Sequence, residues 1–574
     1  MKIIKNIFPI FIVLILSFFS VKPLLMSGFF PIHDDTQVAR VYEMGKALSD
    51  GMFPVRWVSD LGYGYGYPIF NFYAPLAYYF GGAINALGTN ALLSTKIMMT
   101  VGIILSGLFM YLLAKELWGR IGGLVSSLFY VYAPYHAVDI YVRGDVAEFW
   151  AYAFIPLAFY GFLKAYKEKE WKYIVIGAFG FSGVILSHNL TAMMITPFLI
   201  FLLFFLLLID TKEKIGSTFY FLITLFFGLS ISAFYWLPAL FELKFTNVLS
   251  QIGGGADFRN HFVCIEQLWQ SPWGFGGSAA GCVDGLSLKI GKLHILLSLL
   301  AVAFLVILLQ HKKFKNLLSK NSYQIIFVIF SIFALLIATL LTLEISKPIW
   351  EFIPAMAFFQ FPWRFLLIIS FLTSILAGFF IWIIQKAKKN IIKLDKANFI
   401  IVSIAIFALI FFNSKLFAPQ DYLYKKSSDY TNPLSLKWTA SRISDEYMPK
   451  NFIKPSVKDN VVKNQIVAQD KSTKVLFQSS STNRIHANVS SEKKTKIKVN
   501  LAYFPGWNFF VDNKKSLPEV TNKGFFVNMP SGDHALDIFL VQTPIEKFAT
   551  SISLASLFLL LVGIILSRKK MTHE

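Results

Sequence analysis

The sequence predicts a polytopic α-helical membrane protein of about twelve transmembrane helices carrying an extracytoplasmic β-sandwich. Three observations predict this. The 574 residues are 55% hydrophobic and only 15% charged, against roughly 25% charged in a typical soluble domain. Their apolar residues gather in blocks of roughly 18 or more, the length a bilayer-crossing helix needs. One later segment, 418–547, is instead polar and alternates apolar with polar residues, as a half-buried strand does. A mean hydropathy of +0.57 with this patterning excludes an ordinary soluble enzyme and a disordered chain. The net charge of +21 is scattered between apolar blocks, which points to membrane topology and not to nucleic acid. Two cysteines exclude a Cys-rich metal site.

The apolar blocks follow in order. Ile7–Met26, behind Lys2 and Lys5, is too long for a cleaved signal and lacks a small-residue cleavage site, so it reads as an uncleaved anchor. Eleven more blocks follow: Thr95–Leu113, Ile121–Pro134, Phe149–Tyr166, Trp171–Leu186, Thr191–Ile209, Ser217–Leu237, Leu293–Leu309, Tyr323–Leu343, Phe365–Ile384, Phe399–Phe417 and Phe548–Leu566. With a cytoplasmic amino terminus, every second short loop is cytoplasmic. Those loops hold Lys115, Arg120, Lys164, Lys167, Lys169, Lys172, Lys212, Lys214, Lys312, Lys313, Lys315, Lys320, Lys386, Lys388, Lys389, Lys393 and Lys396, and the tail adds Arg568, Lys569 and Lys570. This agreement places both termini in the cytoplasm.

The expected organisation is a membrane domain over 1–417 with outer loops 27–94, 135–148 and 238–292, a β-rich domain over 418–547, and a last helix and tail over 548–574. Within the first outer loop, Phe70–Leu87 is broken by Pro75 and Gly81-Gly82 and reads as an interfacial or re-entrant helix. Within 418–547, Lys496–Leu501 and Ala535–Leu540 alternate, and turn signals such as Asp512-Asn513 separate the runs.

Ionisable groups at the membrane edge are costly and mark candidate sites. His33-Asp34-Asp35 follows the first span, with Arg40 and Glu43 at helical spacing. An acidic pair there suits a general base, a divalent cation site or simple helix capping. Asp145 and Glu148 share a helix face, Arg143 suits a phosphate or a neighbouring carboxylate, and Arg364 opens a span from outside. Tyr67 and Asn71 belong to an aromatic, Gly-rich stretch that fits sugars, headgroups or an interfacial belt. His188-Asn189 ends the fifth span, where a lone His is ordinarily structural. Cys264 and Cys282, both outside, suit a disulfide. No phosphate-binding Gly-Lys loop, paired-His zinc motif or Ser nucleophile elbow occurs.

The chain resembles the GT-C superfamily of membrane glycosyltransferases, and within it the YfhO-like proteins and the membrane family labelled "6-pyruvoyl-tetrahydropterin synthase-related". The residues carrying the resemblance are His33-Asp34-Asp35, Tyr67-Pro68 with Asn71–Leu76, Arg143-Gly144-Asp145 with Glu148, Gln360–Phe365, Glu446–Pro449, and Tyr503–Trp507 leading to Val511–Lys514. The pterin-synthase label implies no pterin chemistry here. The resemblance implies an inverting transferase that takes a sugar from a polyprenyl phosphate or diphosphate to a cell-envelope glycan, lipid or protein outside the cytoplasmic membrane. Asp34 or Asp35 would be the catalytic base. His33, Arg143, Asp145, Glu148, Tyr67, Asn71 and Arg364 would bind substrate, and Asp34, Asp35, Asp145 and Glu148 are the acids for a divalent cation, Mg or Mn, if one is used. The competing expectations are a lipid or glycan transporter without transferase activity and a non-catalytic scaffold.

Overall fold

A computed structural model of the chain describes residues 2–209, 213–248, 253–310, 321–391 and 395–573. All twelve predicted apolar segments are helical, but they are not twelve separate long spans. Among the described residues seven helices are long and apolar enough to cross a membrane, and the bent pair Phe8–Leu16 and Phe18–Leu25 makes eight. The bend lies at Ser17, whose hydroxyl bonds back to the Val13 carbonyl at 2.7 Å, a competitor to the helical ladder. Trp171–Ser187, Lys292–Ile307 and Ile400–Leu416 are shorter apolar helices.

Thr95–Leu113 and Ile121–Pro134 fall in one 41-residue helical stretch, Ala91–Val131, broken at Gly119 (φ 72°, ψ −175°). The second arm folds back on the first. The Ser127 hydroxyl donates to the Gly107 carbonyl at 2.6 Å, and a Cβ on Gly123 would come within 2.9 Å of the Lys115 nitrogen. A single glycine thus reverses the chain between the two predicted spans, within the short loop that holds Lys115 and Arg120. Of the basic topology residues, Lys212, Lys312, Lys313, Lys315, Lys320 and Lys393 lie outside the described residues.

Val146–Glu168 and Pro362–Lys386 form the centre of the bundle. Their most apolar stretches are 83% and 94% buried, against 22% for Pro544–Ser567. Small residues let neighbours close in, as in lipid, where packing and not water expulsion joins helices. A Cβ on Gly161 would stand 2.1 Å from the Gly177 Cα, and one on Gly180 would stand 2.5 Å from the Ala158 nitrogen.

The segment Phe70–Leu87 is two short helices, Ile69–Phe72 and Leu76–Ala86. Residues 418–465 contain no strand among the described residues and fold as short helical turns and loops. Strands begin at Ile466: β1 Ile466–Ala468, β2 Thr473–Ser481, β3 Arg484–Ser491, β4 Thr495–Val499, β5 Trp507–Val511, β6 Lys514–Ser516, β7 Glu519–Thr521, β8 Gly524–Met529 and β9 Gly532–Leu540. They make two antiparallel sheets, β1-β4-β8-β7 and β2-β3-β9-β5-β6. Ile485, Ala487 and Val489 point inward from β3 and meet a buried layer containing Ile497, Val499 and Val527 from the other sheet, the alternation a sandwich requires.

Tyr63, Tyr65 and Tyr67 join this sandwich and the 440s to the membrane part. Val462 N–H donates to the Tyr63 carbonyl at 3.1 Å and Ala502 N–H to the Tyr65 carbonyl at 2.8 Å. The Tyr447 N–H donates to the Tyr67 hydroxyl at 3.2 Å.

Gly161→Ala forces the Val146–Glu168 and Trp171–Ser187 helices apart and lowers the thermal unfolding midpoint in detergent, at a cost of about 1–3 kcal/mol for overpacking. Gly216→Ala adds a methyl with nothing nearer than 4.0 Å, and the same scan finds it unchanged.

Candidate functional site

The first and second outer segments meet edge to edge. His33 N–H donates to the Val142 carbonyl at 3.1 Å and Asp34 N–H to the Arg143 carbonyl at 3.0 Å. Gly144 permits this approach. It is left-handed (φ 66°), and a Cβ there would come within 2.4 Å of Ile32. Asp145 then caps Val146–Glu168, its Oδ1 accepting the Glu148 N–H at 3.0 Å, which places Glu148 one turn into the helix.

Arg143 is the centre of a buried ion cluster. It contacts Asp139, reaches Asp145 Oδ2 at 2.7 Å and reaches Glu148 Oε2 at 2.9 Å. Arg364, from the start of the most buried helix, lies 2.5 Å from Glu148 Oε2 and 3.7 Å from Asp145 Oδ2. The Tyr135 hydroxyl donates to Glu148 Oε1 at 2.5 Å. Every oxygen of Asp145 and Glu148 therefore has a partner. Burial by itself would raise the Asp145 carboxyl, but Arg143 and its other charged neighbours hold it below the usual range. Asp139 is raised, by burial first and then by Glu148.

Next to this cluster lies a cavity of about 1000 Å³. His33, Asp34, Thr36, Arg40, Arg143, Asp145, His188, Arg364, Ser444 and Glu446 contribute to its polar wall. Its other wall is apolar and comes from membrane helices and their ends: Phe181, Ile185, Met193, Leu229, Leu240 and Phe358. Met193, Leu229, Leu240 and Phe358 are exposed, and Met193 and Leu229 lie on helices long and apolar enough to cross a membrane.

Asp34 differs from its neighbours. Among the described residues no side-chain hydrogen bond engages its carboxylate. Burial, then the Asp145 charge, raises its carboxyl above the usual range, against the pull of Arg143, Arg40 and Arg364. Asp35 is absent from the cavity wall. It is half-buried, with Lys425 as its charged neighbour.

Three sequence expectations need correction. Asp35 does not face the cavity that Asp34 lines. Tyr67 is 0% exposed, and its hydroxyl supports the 440s backbone. Asn71, also 0% exposed, bridges Arg56 and Glu242 at 2.7 Å each, away from the cavity. Both were singled out for an aromatic, polar composition that serves packing equally well.

The donor set that could hold a metal also differs from the expected four acids. Asp145, Glu148 and His188 have ligand atoms all within 4.8 Å of one another. Burial lowers the His188 pKa to about 4, leaving the neutral imidazole that a metal requires. This buried group is compatible with a divalent cation, although its carboxylates also serve the arginines. His188 looked structural because its partners are distant in sequence. Tyr135 and Asp139 carried no motif at all.

The third outer segment covers the cavity. Cys264 and Cys282 form a disulfide with Cα atoms 5.6 Å apart. Within that loop, the Phe275 carbonyl accepts from His33 at 2.9 Å, and Ser278 accepts from the Trp363 indole at 3.0 Å. Trp363 stacks over Arg143 at 4.8 Å.

Residues 70–251 match the family described as "6-pyruvoyl-tetrahydropterin synthase related domain; membrane protein". The matched domain contains Arg143, Asp145, Glu148 and His188. An uncharacterized protein of Lactococcus lactis subsp. cremoris (strain MG1363) is 26% identical over 213 residues, 36% of this chain and 35% of the relative. The chain thus matches about a third of that relative's length. The apo crystal structure of the Archaeoglobus fulgidus oligosaccharyltransferase is similar with a TM-score of 0.46 and 13% identity, covering 80% of this chain and 62% of that one. The same enzyme with Zn and sulfate gives a TM-score of 0.39 and 15% identity, covering 79% and 58%.

Removing Arg143 leaves three buried carboxylates with too little compensation. Arg143→Gln therefore lowers thermal stability by about 3–5 kcal/mol, read from the unfolding midpoint in detergent. Cys264→Ser opens an 18-residue loop, and its midpoint falls by the equivalent of about 3 kcal/mol, as does that of the wild type with reductant.

Proposed function

We propose that this membrane protein is an inverting glycosyltransferase. It moves a sugar from a polyprenyl phosphate or diphosphate to an extracytoplasmic acceptor of the cell envelope. The observation that carries the reading is the cavity, which joins the unengaged Asp34 carboxylate and several guanidinium groups to an apolar wall on membrane helices. A polyprenyl chain suits the apolar wall, and its phosphorylated sugar then reaches the polar end.

Asp34 is the general base. It accepts the proton of the acceptor hydroxyl while that oxygen bonds to the sugar C1, and the C1–O bond to phosphate breaks with its electron pair leaving on the phosphate. Attack on the face opposite the leaving group inverts the anomeric centre. The base needs a pKa near working pH, and burial of Asp34 moves it in that direction. Asp145 and Glu148 act as positioning residues, because Arg143, Arg364, Tyr135 and a backbone amide occupy their oxygens. Where a divalent cation is used, Asp145, Glu148 and His188 would hold it, and it would neutralise charge on the departing phosphate. The basic short loops favour cytoplasmic termini and an outer site. A transporter would instead place its polar residues along a path near the membrane midplane; here they gather at helix ends beside one cavity.

The test is transfer of labelled sugar from polyprenyl-phosphate sugar in membranes. Asp34→Asn reduces the rate by roughly 10²–10⁴-fold, the range for losing a general base, whereas Asp35→Asn keeps most activity. Equal activity of the two variants would eliminate Asp34 as the base. Because only the ionised carboxylate accepts a proton, activity falls as pH drops through the Asp34 pKa, and this acidic limb lies above the usual Asp range and vanishes in Asp34→Asn.

A further inference from the structure

The helix Gln37–Ser49 begins at the cavity without a side-chain cap. Its N-cap residue is Thr36, the kind of residue that ordinarily bonds the first-turn amides. Here Thr36 is 3% exposed, lines the cavity, and its hydroxyl has no partner among the described residues. Arg40, four residues on and 4% exposed, lines the same wall. An uncapped helix start presents amide hydrogens and the positive end of the helix dipole. It is a ready anion site when a donor and a cation stand beside it.

The other cavity arginines differ from Arg40 in their partners. Arg143 has three carboxylates and Arg364 two. Arg40 instead donates to the neutral hydroxyls of Ser444 at 2.9 Å and Tyr78 at 3.4 Å, and it lies 4.2 Å over the Tyr73 ring. The charges of Asp34 and Glu446 also act with that of Arg40, and Glu446 takes its hydrogen bond from Ser444 at 3.1 Å. Burial raises the Glu446 carboxyl, opposed first by Arg40, and among the described residues the hydrogen bonds of the Arg40 guanidinium go to hydroxyls and not to a carboxylate.

We propose that the start of the Gln37–Ser49 helix, with the Thr36 hydroxyl and the Arg40 guanidinium, is a phosphoryl-binding subsite of this cavity. This assigns the anion to Arg40, not to Arg143 or Arg364, whose charge the carboxylates already neutralise. It rests on the proposed lipid-linked donor for the source of the phosphoryl group. The chemistry of the subsite fits the phosphoryl of a polyprenyl phosphate and a free pyrophosphate alike.

The full-length protein in nanodiscs is titrated with polyprenyl monophosphate and, separately, with inorganic pyrophosphate. Thr36→Val removes the hydroxyl at constant shape, and Arg40→Lys keeps the charge but loses the fork. Each weakens polyprenyl phosphate binding roughly tenfold or more, as expected for a lost charge-assisted hydrogen bond. Unfolding midpoints near the wild-type value identify the variants that are folded, and Thr36→Val serves if Arg40→Lys is not. Pyrophosphate binding with the same dependence identifies the headgroup as sufficient; binding of the lipid phosphate alone identifies the lipid-linked source. Wild-type affinity in folded Thr36→Val overturns the subsite even if sugar transfer is found. Conversely, phosphate binding that depends on Thr36 without any sugar transfer sustains the subsite and removes the transferase reading. Absence of binding to either probe in the wild type overturns the subsite outright.

Discussion

The site depends on keeping Arg143 charged and buried. Taking a guanidinium out of water costs several kcal/mol unless its charge and hydrogen bonds are met in place. Asp139, Asp145 and Glu148 meet them, and Glu148 passes the compensation on to Arg364. These residues come from the second outer segment, the start of Val146–Glu168 and the start of the central Pro362–Lys386 helix. Their mutual neutralisation therefore ties these helix ends to one another. The backbone bonds from His33 and Asp34 to the Val142 and Arg143 carbonyls then carry that rigidity to the first outer segment.

This arrangement divides labour among the acids. Asp145 and Glu148 are saturated by donors and act as scaffold. Asp34, next to them, takes part in none of their hydrogen bonds; burial first, then the Asp145 charge, raises its carboxyl, and its oxygens remain available. The cations divide in the same way. Arg143 and Arg364 belong to the cluster, and Arg40 lines the cavity with neutral hydroxyls as its hydrogen-bond partners. The disulfide-closed loop from Cys264 to Cys282 covers the polar end, while the apolar wall includes exposed residues of membrane helices, Met193 and Leu229. A substrate with one charged and one greasy end fits such a cavity.

Much of this was legible in the sequence where the signal is local. The acidic pair Asp34-Asp35 after the first span, the charges of the Arg143–Glu148 stretch and Arg364 all stood out at the edge of apolar blocks, and all but Asp35 and Glu148 line the cavity. Tyr67 and Asn71 stood out for composition and proved to be packing and buried hydrogen bonding. His188, Thr36 and Arg40 drew little weight because their meaning lies in who faces them. A histidine becomes a metal-ligand candidate through Asp145 and Glu148. A threonine before a helix becomes notable when its hydroxyl lacks the cap bond that sequence would assign to it.

The sequence by itself determined the apolar helices, the short-loop charge bias and the alternating runs Lys496–Leu501 and Ala535–Leu540, because hydrophobic period and charge placement are properties of neighbours along the chain; that the strands begin at Ile466 and not nearer 418 was decided by the structure. Only the tertiary structure decided that Tyr67 seals a joint and that Asp34 rather than Asp35 meets the cavity. Those outcomes depend on contacts between segments tens to hundreds of residues apart. Desolvation and hydrogen-bond satisfaction, which separate a free carboxylate from an occupied one, exist only after those segments have met.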